Sequence, residues 1–154
     1  MPRFMLLLLA SCFPLSLGAQ TFDLRFDRLT SALAALSAGD RTAVDQAIEL
    51  MRKGDNNLAL VRLSALNEKN PQNSSLRILT AYSMLRLGNL VGAFDEAGRA
   101  EKAQNGDSYK CWFLAKLAFL KGDMTACRRE IDHAKANGED VKALEDDMKK
   151  RKGS

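Results

Sequence analysis

The stretch Arg52-Lys53-Gly54-Asp55-Asn56-Asn57-Leu58-Ala59 returns as Arg86-Leu87-Gly88-Asn89-Leu90-Val91-Gly92-Ala93, and again as Leu120-Lys121-Gly122-Asp123-Met124-Thr125-Ala126-Cys127, at an interval of 34 residues. Glycine can take the left-handed backbone conformation that ends a helix, and the Asp or Asn after it can accept hydrogen bonds from the N–H groups that open the next one. Working outward, Ala47, Ala81 and Ala115 stand seven residues before the glycines, and Ala59, Ala93 and Cys127 stand five after them. Small side chains at fixed distances on both sides of a chain reversal let two helices cross closely. The pattern predicts a helix-turn-helix unit stacked three times.

Between the turn signals the apolar residues keep helical spacing, and no stretch alternates long enough for a sheet, so the expected fold class is all-α. The first pair is expected over 41–53 and 56–70, stopped by Pro71; the second over 74–87 and 90–104, stopped by Asn105-Gly106; the third over 108–121 and 124–136, stopped by Asn137-Gly138. Ahead of them Phe22, Phe26, Leu29, Leu33 and Leu36 form one stripe, which Gly39 would end before Asp40 caps the next helix. This opening element is half a unit. Behind them Val141, Leu144 and Met148 make a thin stripe among charged residues, as suits a helix closing the end of a stack.

These residues resemble the tetratricopeptide repeat, over about Asp40 to Ala136. The resemblance rests on the small residue seven before each glycine, the alanine five after it, the large apolar residue four further on (Leu63, Ile131) and Pro71 seventeen after Gly54. Ala43, Arg77 and Cys111 depart from it where an aromatic is usual, as do Ala97, small where a bulky residue is usual, and the missing second and third prolines. The implied architecture is a right-handed α-α superhelix with repeats at 40–73, 74–107 and 108–139, a half-repeat at 20–39 and a capping helix with a basic tail at 140–154.

Residues 1–19 read as a secretory signal: Arg3, an apolar stretch, then Leu17-Gly18-Ala19 before Gln20. The apolar run is short for a membrane span. An exported chain of the bacterial envelope is expected, periplasmic or secreted. The alternative is a lipoprotein anchored through Cys12, since Leu9-Ala10-Ser11-Cys12 resembles a lipid-attachment box, although cleavage there would leave Phe13, Leu15 and Leu17 in water. The net charge is +4, and its basic residues are scattered except at Lys149-Lys150-Arg151-Lys152, which suits a helix end better than a nucleic-acid patch.

In the family the first helices of successive pairs line a concave wall. Carried over, that wall would show Arg41, Val44, Ile48, Met51 and Arg52, then Ile78, Tyr82, Leu85 and Arg86, then Tyr109, Trp112, Lys116 and Phe119. Aromatics with arginine anchor protein partners because they bury large area at low entropic loss. The expected function is a non-catalytic scaffold or adaptor that holds a peptide or helix of a partner protein. Two alternatives stay open: some of these side chains pack between helices, or the opening helix or the cap folds back over the wall. The family's carboxylate-gripping mode is not expected, because Val44, Ile48, Leu79, Tyr109 and Phe113 occupy its positions and lack the cations it needs.

Cys111 and Cys127 fall on the two helices of the third pair, one turn out of register, so either a disulfide or two thiols is open. No CxxC or HxxxH spacing points to a metal, and no glycine loop, GxSxG or HExxH points to a catalytic motif. His133, the sole histidine, reads as a surface residue. No cofactor, nucleic acid or small-molecule substrate is expected. Self-association and a thiol-dependent redox protein using Cys111 or Cys127 are the rival functions.

Overall fold

The computed structural model describes residues 24–103 and 109–152. The expected signal, Cys12, Phe22 and the Asn105-Gly106 stop lie outside the described residues. Within them the chain is all-α, with a 3-10 turn at Phe26–Leu29 and eight α-helices: α1 Thr30–Ala34, α2 Ala38–Arg52, α3 Asn56–Lys69, α4 Ser74–Arg86, α5 Leu90–Lys102, α6 Tyr109–Lys121, α7 Met124–Ala136 and α8 Lys142–Lys152. Helices α2 and α3, α4 and α5, and α6 and α7 form three hairpins, and neighbouring hairpins meet through α3 with α4 and α5 with α6. No described helix is long and apolar enough to cross a membrane.

The 34-residue interval is visible at atomic scale. Gly54, Gly88 and Gly122 have φ of 86°, 77° and 83°. Immediately after them the N–H groups of Asp55, Asn89 and Asp123 each donate back to Leu50, Met84 and Ala118 at 2.9 Å, closing the preceding helix with the same hydrogen bond. The side chains of those three residues then accept from Leu58, Gly92 and Ala126 to open the following helix. One residue thus serves two helices. Ala47, Ala59, Ala81, Ala93, Ala115 and Cys127 are all fully buried, so the small columns lie where the hairpins close.

Most of the core is one cluster running from Leu24 to Leu117 through α2, α3, α4, α5 and α6. A second cluster gathers Ala115, Cys127, Ile131, Ala134, Val141, Leu144 and Met148, seating α8 on the last hairpin. Where the family resemblance calls for an aromatic, Arg77 instead holds the buried carboxylate of Glu96 at 3.0 Å, with Arg99 at 2.6 Å on its other oxygen. A buried carboxylate needs such pairing. Pro71 follows α3 as expected, while Asn73 caps α4 through Leu76.

The opening element differs from expectation. A continuous helix to Gly39 is replaced by the 3-10 turn and the five-residue α1, and Ser37, not Asp40, caps α2 by accepting the Asp40 N–H at 3.1 Å. Gly39 lies inside α2 and keeps a right-handed backbone. The physical reason is facing. A 3-10 turn brings residues three apart onto one side, and Phe26 and Leu29 both turn toward the hairpins.

Candidate functional site

The first helices of the hairpins adjoin, α2 against α4 and α4 against α6, and the residues expected on a wall lie along them. Val44, Ile48 and Met51 of α2, Ile78, Tyr82 and Leu85 of α4, and Tyr109 of α6 are buried on it. Trp112, Lys116 and Phe119 are half-buried, and Arg41, Arg52 and Arg86 are exposed. The rings are therefore not laid open. Of the open alternatives, packing between helices holds for Val44, Ile78 and Tyr109.

The chain's own opening segment packs against α4 and against Tyr109 of α6. The Phe26 ring meets Tyr82 edge-on with centroids 6.3 Å apart, and the Arg52 guanidinium sits 5.4 Å over the Phe26 ring. The Arg25 N–H donates to the Tyr109 hydroxyl at 2.9 Å, and Asn73 donates from its amide to the Ala32 carbonyl at 2.8 Å. Leu24, Leu29, Ala32 and Leu36 are buried in the same contact. Arg28 closes it with an ion pair to the buried Glu139 at 2.5 Å, linking the opening segment to the loop before α8.

Tyr109 stacks on Trp112 with centroids 5.0 Å apart, and Lys116 lies 5.6 Å over the indole. Burial pushes the Tyr109 phenol above its ordinary pKa, so it stays a neutral hydroxyl able to accept from Arg25. At the far end the cap contributes too: Arg151 lies 5.0 Å over Phe119 and donates to its carbonyl. Leu79 and Phe113, two of the positions compared with the carboxylate-gripping mode, are fully buried in the core. A depression of about 640 Å³ remains between the opening segment and α2, floored by Phe26, Leu33, Val44 and Ile48 and rimmed by Asp27, Arg41, Asp45, Glu49 and Arg52.

Cys111 and Cys127 are free thiols. The helical offset separates them: Cys127 turns inward, with its Sγ 3.4 Å from the Met148 sulfur, whereas Cys111 turns toward α7. There it meets Glu130 and His133, and one donor atom from each of the three lies within 4.8 Å of the others. Cys111 is half-buried, Glu130 is buried and His133 is exposed. The sequence hid this group because its donors match neither CxxC nor HxxxH spacing and the thiol comes from a different helix than the other two. Glu130-Xaa-Xaa-His133, two donors on one helical face, is the signal that was available.

In comparisons with family models, curated proteins and solved structures, nothing matches the chain.

Proposed function

We propose that this chain is a non-catalytic protein-interaction scaffold of the tetratricopeptide type, a right-handed superhelix of three repeats working in the bacterial envelope after export, whose wall of α2, α4 and α6 holds a short apolar helix of a partner. One observation carries the reading. The wall already holds such a segment from its own chain, through a ring contact, a cation over a ring, and hydrogen bonds to backbone groups at Arg25 and Ala32. Those are the contacts a partner's helix would make.

An occupant tethered by a short link acts at an effective concentration on the order of millimolar. A partner in solution therefore competes only when its own segment binds better or the tethered one is weakened. Removing the Phe26 ring forfeits about 2 kcal/mol of burial, close to a thirtyfold loosening. The test adds a synthetic peptide of residues 22–37, carrying a fluorophore, to the chain with Phe26→Ala and Leu29→Ala. Saturable binding is expected, at least tenfold weaker to the unaltered chain. Absence of binding to the altered chain, with its helicity retained, would remove the wall as an acceptor surface.

Self-association is the second reading, favoured by the link between α1 and α2 at residues 35–37, which could open and pass the opening segment to a second copy. Light scattering across a concentration series separates this exchange from binding of another protein. The thiol-dependent reading finds less support: burial pushes both Cys111 and Cys127 toward the protonated, less nucleophilic form.

A further inference from the structure

We infer that Cys111, Glu130 and His133 form a binding site for one divalent transition-metal ion of the zinc type, clamping α6 to α7 and leaving a fourth position for water. The inference stands apart from the interaction reading, since these residues take no part in the wall's contacts with the opening segment.

The donor set is mixed sulfur, nitrogen and oxygen, which suits a borderline-soft cation and not calcium or magnesium. Two donors come from one face of α7 at a spacing of three residues, and the third from the first turn of α6. Glu130 is divided in its partners. Its Oε1 accepts from Arg129 at 2.9 Å, while its Oε2 faces His133 Nδ1 at 3.6 Å. A carboxylate held by one oxygen and offering the other is the arrangement in which an outer partner fixes a metal ligand.

Tetrahedral bonds of about 2.0–2.3 Å place neighbouring donors roughly 3.5 Å apart. The donors, all within 4.8 Å of one another, therefore need to close by no more than about 1.3 Å. His133 can supply that movement, being exposed and hinged at its own side chain. Binding replaces the Cys111 thiol proton, which passes to solvent.

The test titrates the purified, reduced full chain with cobalt(II) and follows the thiolate-to-cobalt band and the visible bands of four-coordinate cobalt. One equivalent per chain is expected, displaced by zinc(II). Cys111→Ser should abolish the thiolate band, and His133→Ala, altering an exposed residue, should weaken binding at least tenfold. Cys12→Ser and Cys127→Ser should leave the spectrum unchanged, with circular dichroism reporting helicity for every variant. No band in the unaltered chain, a band that survives Cys111→Ser, or cobalt affinity indifferent to His133→Ala overturns the site.

Discussion

The Tyr109 phenol lies beneath the opening segment, accepting the Arg25 N–H and stacking on Trp112. Ionising it there would place a phenolate among apolar neighbours, and burial accordingly raises its pKa above the ordinary 10.0. A raised folded pKa means that the native state keeps the proton better than the unfolded chain does. Its stabilising contribution is complete below the unfolded value and is lost as pH climbs past it toward the folded one. Stability of the unaltered chain should therefore fall as pH rises beyond about 10, the ordinary value for the group. Tyr109→Phe should lose about 1 kcal/mol at neutral pH, for the missing hydrogen bond, and show a shallower alkaline decline. Denaturant melts at neutral and alkaline pH check this, and identical alkaline slopes for both proteins would contradict it.

At the scale of elements, α1 and α8 show how weak segments persist by packing. Five residues cannot sustain a helix alone, so α1 exists because Leu29, Ala32 and Leu36 are buried against the hairpins. This is also why its form was hard to read: its apolar spacing fits one long helix, and only the position of the wall selects a 3-10 turn that aims Phe26 and Leu29 together. Helix α8 was easier, since Leu144 and Met148, with Val141 just before the helix, make a single apolar stripe and all three are buried. Met148→Ala should destabilise the chain by about 2–5 kcal/mol, because it leaves a void against Cys127. Thermal and urea unfolding read the loss. A change within about 0.5 kcal/mol, the range of ordinary surface substitutions, would show that α8 adds little to the fold.

Across the whole molecule the core is divided, one cluster spanning the opening segment through α6 and the other joining α6, α7 and α8. A core divided in this way allows an end unit to open at lower free energy than the rest. Native-state hydrogen exchange should accordingly show amides of α7 and α8 opening at lower free energy than those of α3 and α4; a single opening energy for all would argue for one indivisible core. The hairpins were legible from local chemistry, since a left-handed glycine, a capping Asp or Asn and buried alanines depend on residues close along the chain. Thus Gly54-Asp55, Gly88-Asn89 and Gly122-Asp123 determined three reversals without help from distant contacts. What covers Tyr82 and Tyr109, and which neighbours Cys111 finds, depended on pairs far apart in sequence or on rotation between helices, as in Arg25 with Tyr109 or Cys111 with His133. Periodicity states which side of a helix is apolar, but tertiary packing alone decides what comes to lie against it.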